Sequence, residues 1–221
     1  MVQVNIRQML GYVSVSCAAI ALCSYAYNRS RHSELAKEQL LQICEQRGGT
    51  VGFDVVDGDV IVNLSGTHLT QTDIATLPKL FERYISSDIG IGRRVQLNLN
   101  NATFDGERQD LLGDYIVGLS LAGLDFDDAE LHEIVRICPR IERLDLQGTK
   151  ISAKSIIDIA SLPVGHLNIR DTHLSCNEIA QLGNCQSLYK LDVSVPNDEF
   201  RKLEEVLPLV WIENETPTNC Q

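Results

Sequence analysis

The chain has 221 residues, of which 44% are hydrophobic and 5% aromatic, and its formal net charge at pH 7 is −11. The length fits one domain with an appended segment, and the hydrophobic content is ordinary for a folded protein. The acidic balance argues against a nucleic-acid-binding function, because neutralising phosphates requires a basic surface.

The N-terminal run of residues 9–27 carries no charged side chain. At about 1.5 Å per residue, a helix of this length nearly spans a bilayer core of about 30 Å. The sequence therefore predicts that residues 1–32 form a transmembrane anchor followed by a basic juxtamembrane stretch. A cleaved signal segment ending near Ala21 is the alternative. We favour the anchor because the uncharged run continues past Ala21 to Tyr27.

The charges on either side of this run bear on the expected orientation. Arg7 precedes it, and Arg29, Arg31 and Lys37 follow it. Positive residues favour the cytoplasmic side of a membrane, and an odd number of cysteines agrees with a reducing compartment. We predict a single-pass membrane location with the remaining chain on the cytoplasmic side, although both topologies stay open.

Residues 33–61 have the pattern of a helix followed by a hairpin. Ser33 is a suitable N-cap, and Gly48-Gly49 is a typical helix stop. Two apolar runs then flank the Asp57-Gly58 turn, as in a β-hairpin. We interpret this segment as a cap over the first unit of a repeat array.

Residues 62–213 contain aliphatic residues that recur at a regular interval of about two dozen residues. Successive strand leucines are separated by 22, 25, 23 and 24 residues. They are Leu97, Leu119, Leu144, Leu167 and Leu191. This period is typical of leucine-rich repeats, in which each unit is a strand plus a returning helix. Because one unit cannot bury its apolar face alone, neighbouring units must stack.

The predicted fold is therefore α/β. We expect a right-handed leucine-rich-repeat solenoid with parallel strands on the concave face and helices on the convex face. Residues 214–221 are predicted to be a flexible tail. The helical returns are expected at Asp73–Tyr84, Asp127–Ile137, Ala153–Ala160, Cys176–Leu182 and Asp198–Val206. Alternation along the strands turns a ladder of polar residues outward, namely Asn63, Asn98, Ser120, Asp145, Asn168 and Asp192.

The chain resembles the membrane-anchored leucine-rich-repeat proteins of planctomycete-type bacteria. The residues that carry the resemblance are Arg7 before the uncharged run, Arg29 and Arg31 after it, the segment 48–54 (GGTVGFD) and the segment 148–151 (GTKI). The resemblance implies a bacterial, single-pass or exported repeat protein with an interaction role and no assigned chemistry. The chain departs from that pattern in its long first interval, from Val62 to Leu97.

The sequence contains no phosphate-binding glycine loop, nucleophile elbow or His-Glu-x-x-His motif. We therefore expect no enzyme activity, catalytic residue or cofactor. The only cluster of potential metal-ligating residues in the sequence consists of His173, Cys176 and Cys185. Their spacing fits no zinc-binding pattern, so no metal site is expected. Cys138 occupies the same phase as Cys185, which predicts that both thiols are buried structural residues.

The candidate binding surface is a basic strip on the outward side of the strands. Its residues are Arg143, Asp145, His166, Asn168, Arg170, Lys190 and Asp192. Such a strip on an acidic protein can recruit an acidic segment of a protein partner. The competing interpretation is a self-neutralising face in which each cation pairs with a neighbouring carboxylate. The function predicted is non-catalytic protein binding, and the alternative is a structural, envelope-associated protein that self-assembles. The oligomeric state is not predicted.

Overall fold

The computed structural model describes residues 6–53, 59–85 and 94–215, and for residues 6–22, 26 and 29 it describes only the helical backbone. The strands within these ranges are β1 (Thr50–Phe53), β2 (Val60–Asn63), β3 (His68–Leu69), β4 (Val95–Asn98), β5 (Thr103–Phe104), β6 (Ile116–Ser120), β7 (Arg143–Asp145), β8 (His166–Asn168), β9 (Lys190–Val193) and β10 (Trp211–Asn214). The helices are α1 (Ile6–Gln46), α2 (Gln71–Ile85), α3 (Asp128–Ile137), α4 (Ser155–Ser161), α5 (Cys176–Ile179) and α6 (Asn197–Val206). Two 3₁₀ helices cover Arg108–Leu111 and Ala180–Asn184.

Eight of the strands form one sheet in the order β1-β2-β4-β6-β7-β8-β9-β10, and β3 pairs with β5 separately. β1 runs antiparallel to β2, which confirms the predicted hairpin, while Asp57 and Gly58 of its turn lie outside the described residues. All other neighbours in the sheet are parallel.

The core lies between one face of this sheet and the helical segments. The strand leucines stand side by side in register and are at most 2% exposed. They are Leu97, Leu119, Leu144, Leu167 and Leu191. Burying each of them contributes about 1.5–3 kcal/mol to folding. Because side chains alternate along a strand, the residues between these leucines face the other side of the sheet.

The predicted leucine-rich-repeat solenoid is wrong. The structure shows a mixed α/β fold with a mostly parallel eight-stranded sheet and, within the described ranges, six α-helices. The connecting segments are also unequal: β4 is followed by β5 and a 3₁₀ helix, β7 by seven helical residues, and β8 by the four-residue α5 and a 3₁₀ helix. The regular spacing of aliphatic residues predicted the neighbouring strands, but it did not determine the structure of the segments that connect them.

The predicted transmembrane anchor at residues 9–27, and the membrane location inferred from it, are also wrong. Across the described parts of the chain, no helix combines the length and the apolarity needed to cross a bilayer. The uncharged run is interrupted by Ser14, Ser16 and Ser24, and its helix continues without a break into a charged segment. Residues 1–5, which precede the helix, lie outside the described residues.

The second half of α1 packs against α2. Ala36, Leu40 and Cys44, spaced four residues apart, form one buried stripe on α1. Arg47 Nε lies 2.8 Å from Asp73 Oδ2 at the start of α2. The helix ends at Gln46, just before the predicted stop at Gly48, whose φ of 80° is the left-handed conformation that glycine adopts most readily. Its predicted start at Ser33 is wrong, because Ser33 lies inside the continuous helix.

Asp128 joins α3 to α4. Its carboxylate accepts hydrogen bonds from the backbone N–H of Ser152 at 2.7 Å, from Ser152 Oγ at 2.6 Å, and from Ser155 Oγ. Burial raises the pKa of Asp128, but these hydrogen bonds outweigh burial and hold the pKa below its ordinary value. Asp127, one residue earlier, is the N-cap of α3 in a complete capping box with Glu130.

Candidate open-face binding site

The side of the sheet opposite the core, which we term the open face, carries two rows of outward residues. The first row consists of Gln96, Gly118, Arg143, His166, Lys190 and Trp211. The second row, two residues further along each strand, consists of Asn98, Ser120, Asp145, Asn168, Asp192 and Glu213. All seven predicted binding residues belong to this face: six lie in the two rows, and Arg170 occupies the next outward position after Asn168.

Most of the predicted polar ladder stabilises the ends of the strands. Asn63, Asn98, Asp145 and Asn168 each accept a hydrogen bond through Oδ1 from the backbone N–H two residues further on. The distances lie between 2.9 and 3.1 Å. Short polar side chains favour this local turn, in which they satisfy a backbone donor where the strand ends. These four residues therefore have a structural role that does not require a ligand.

Asp192 has different partners. Its Oδ2 lies 2.7 Å from Nε2 of His166 on the neighbouring strand, and the residue is 5% exposed. Its Oδ1 lies 3.7 Å from both Arg170 Nη2 and Lys190 Nζ. Burial raises the pKa of Asp192, but the hydrogen bond to His166 and the charges of His166, Lys190 and Arg170 together hold it below its ordinary value.

Carboxylates on and after β10 pair with the two cations beside Asp192. Arg170 Nη1 lies 3.2 Å from Glu215 Oε1, and Lys190 Nζ lies 3.3 Å from Glu213 Oε2. The Lys190 ammonium also lies 5.6 Å from the centre of the Trp211 ring. This part of the predicted basic strip is therefore locally neutralised.

Arg143 is the exception among the predicted cations. It is exposed and makes no ion pair with any residue that the structure describes. The neighbouring Glu142 pairs instead with Arg94, with Oε1 2.7 Å from Arg94 Nη1. Arg143 can therefore receive an anion from outside without breaking an existing contact.

Asp145, two residues from Arg143 on β7, also has no ion pair within the described ranges. Its Oδ1 accepts the backbone N–H of Gln147 at 3.1 Å, and its Oδ2 lies 2.6 Å from Ser120 Oγ. These contacts fix the carboxylate in position but leave its charge uncompensated by a cation.

A groove with a volume of about 280 Å³ crosses the open face at this point. Its ionisable lining residues are Arg143, Asp145, His166 and Asp192. Gly118 forms part of the floor because it supplies no side chain between Gln96 and Arg143 in the first row. A Cβ atom at this position would lie 3.0 Å from Cγ and 3.2 Å from Cβ of Gln96. The groove therefore includes a position where the first row has no side chain.

Gln96, which forms one wall of the groove, is held in place by a hydrogen bond to a buried carboxylate. Gln96 Nε2 donates to Asp59 Oδ2 at 3.1 Å, and Asp59 is 1% exposed. Arg94 binds the same carboxylate with Nε at 3.0 Å and Nη2 at 3.3 Å. Gly118 and Gln96 were not among the predicted binding residues. The available signal was a glycine in a row where its flanking neighbours carry long polar side chains.

Three of the five cysteines whose side chains the structure describes are buried, namely Cys44, Cys138 and Cys185. Cys138 and Cys185 are buried, as their shared phase predicted. Burial raises the pKa of Cys138 to about 12. In the described part of the chain, no cluster of three or more His, Cys, Asp or Glu residues is placed to hold a metal ion.

Comparison with protein-family models finds no match, and comparison with curated proteins finds no similar sequence. The resemblance to planctomycete-type proteins therefore stays a prediction.

Proposed function

We propose that the protein is a non-catalytic binding module that holds a protein partner through the open face of its sheet, with an acidic side chain of the partner docked on Arg143. The observation that carries this proposal is the unpaired Arg143 at the edge of the groove, beside cations that already have carboxylate partners. A partner carboxylate gains a charge-assisted hydrogen bond there without displacing a contact of the folded protein.

The groove supports a protein segment as the occupant. It extends over six neighbouring strands, β2, β4, β6, β7, β8 and β9, and its floor contains the gap at Gly118. With strands about 4.8 Å apart, this span matches a few residues of an extended chain. Arg is also one of the residues that most often contribute strongly to binding energy at protein interfaces.

The test is selection from a phage-displayed library of random peptides on the purified protein and on two charge-reversal variants. Arg143→Glu reverses the charge in the groove. Arg140→Glu is the matched control, because Arg140 is also exposed and lacks an ion pair in the described residues, but does not line the groove. We expect peptides that share an Asp or Glu at one position to be selected by the wild type and by Arg140→Glu, and to be lost with Arg143→Glu. Selection without acidic enrichment, or equal selection by all three proteins, would refute the proposal.

The second candidate function, self-assembly, is supported by the outer edge of β10. This strand is paired on one side only within the described chain, and Leu209 and Trp211 next to that edge are 92% and 67% exposed. Exposed strand edges with apolar neighbours favour pairing with another chain. Sedimentation velocity over a range of concentrations tests this candidate. Self-association that is lost in Leu209→Asp but kept in Ile157→Asp, an exposed position on α4, would support it; a monomer at every concentration would contradict it.

A further inference from the structure

We infer that the groove recognises a pair of opposite charges in a fixed order: a partner carboxylate at Arg143 and a partner ammonium or guanidinium group at Asp145. This inference rests on the proposed function and deepens it, because it specifies the chemistry and the orientation of the bound segment.

The charge balance of the groove favours a segment that carries both an acid and a base. Four ionisable residues line it, and two of them, His166 and Asp192, are in contact with each other at 2.7 Å. The remaining two, Arg143 and Asp145, have opposite charges and no ion pair within the described ranges. An all-acidic segment would gain from Arg143 but would be repelled by Asp145. A segment with one acid and one base satisfies both residues.

The positions of Arg143 and Asp145 along β7 define an orientation for the bound segment. Arg143 and Asp145 are two residues apart on β7, so their side chains leave the same face of the sheet about 6.6 Å apart along the strand. The two groups lie in different rows, and the order of the rows is set by the strand direction. A segment that presents its acid and its base in the reverse order would face like charges at both positions. The pair therefore defines an orientation as well as a composition.

The residues around Arg143 and Asp145 are held by hydrogen bonds before a partner binds. Asp145 is held by Ser120 Oγ and by the backbone of Gln147. On the other side of Arg143, the gap at Gly118 is bounded by Gln96, whose amide is hydrogen-bonded to the buried Asp59. A site that is already ordered loses less conformational entropy on binding.

The experiment uses the wild type, Arg143→Gln and Asp145→Asn. Asp145→Asn removes the charge and keeps an Oδ1 acceptor for the Gln147 N–H, so the strand end remains capped. We expect the peptides selected by the wild type to carry an acid and a base in one order. For a selected peptide we expect Asp145→Asn to weaken binding about fivefold, and to have no effect on binding of the same peptide with its base replaced by Ala. Fluorescence anisotropy with labelled peptides measures both.

The outcomes separate this inference from the proposed function. If Arg143→Gln weakens binding while Asp145→Asn does not, the open face binds an acidic segment and the paired-charge inference is wrong. If neither variant weakens binding, both proposals are wrong. The inference is also overturned if a peptide with its acid and base exchanged binds as tightly as the original.

Discussion

Arg94 holds the buried carboxylate of Asp59 in a two-point contact, with Nε 3.0 Å from Oδ1 and Nη2 3.3 Å from Oδ2. The third guanidinium nitrogen of Arg94, Nη1, lies 2.7 Å from Oε1 of the exposed Glu142. One guanidinium thus connects the start of the second strand of the sheet to the segment that precedes β7. Because Asp59 also orients Gln96, this contact supports one wall of the groove.

The two partners of Arg94 should differ sharply in their contribution to stability. Arg94→Met leaves the Asp59 charge buried with only the Gln96 amide as a side-chain partner, and we expect it to lower the free energy of unfolding by about 3 kcal/mol. Glu142→Gln removes the exposed partner only and should cost less than about 1 kcal/mol. Urea denaturation of both variants measures the difference. Similar losses in the two variants would show that burial of Asp59 does not dominate this network.

Asn98 tests the structural role assigned to the outward ladder. Asn98→Ala removes the acceptor for the backbone N–H of Asn100, and we expect it to lower the free energy of unfolding by about 1 kcal/mol. Asn98→Asp keeps an acceptor and is the matched control. Amide hydrogen exchange at residue 100 should accelerate in the alanine variant and stay close to wild type in the aspartate variant. Unchanged exchange in both would mean that the side chain does not cap the strand end.

Asp128 should make the stability of the protein sensitive to acid. Its pKa in the folded protein is lowered from the ordinary value of 3.8, mainly because the Ser152 and Ser155 hydrogen bonds outweigh the opposing effect of burial. A lowered pKa adds stability above the ordinary value, and that stability is lost as the pH falls through the folded-state pKa. The stability difference between wild type and Asp128→Asn should therefore be largest near neutral pH and shrink below pH 3.8. Denaturation curves at both conditions measure it, and a difference independent of pH would contradict the assignment.

The thiols should differ in reactivity according to their burial. Burial raises the pKa of Cys138 to about 12, and burial together with the charge of Asp73 raises that of Cys44 to about 12. Since the thiolate is the reactive form, neither should react with iodoacetamide in the native protein near neutral pH. The exposed Cys23 should be modified under the same conditions. Peptide mass spectrometry identifies the modified residues, with the unfolded protein as control. Native labelling of Cys138 at the rate of Cys23 would contradict the burial described.

The sequence predicted the strands of this fold better than the segments between them. Leu119, Leu144 and Leu167 could be placed side by side because a buried leucine at a regular interval has one stable environment, next to its equivalents in a sheet. The same interval accommodates a helix, a 3₁₀ turn or a short strand, so it could not predict a fold class. The continuous helix through Ser33 was missed because capping residues are also tolerated inside a helix when neither glycine nor proline interrupts it.

The seven predicted binding residues share one face of the sheet, but which of their charges are already paired could not be predicted. Arg170 and Lys190 were expected to face outward, yet their pairing with Glu215 and Glu213 depends on the register of the last strand, which has weak sequence signals. The contribution of Gly118 to the groove could not be predicted either, because it depends on which residues lie on the neighbouring strands. A missing side chain matters only when the residues on the neighbouring strands, here Gln96 and Arg143, are known.

Backbone amide chemical shifts test the central claim most directly. A peptide selected on the wild-type protein is titrated into isotope-labelled protein while the amide signals are followed by NMR. We expect the largest shifts at Gly118, Arg143, Asp145 and His166, around the groove, and small shifts on the helices. Perturbations concentrated on the helical side, with the signals of these four residues unchanged, would show that the open face is not the binding surface.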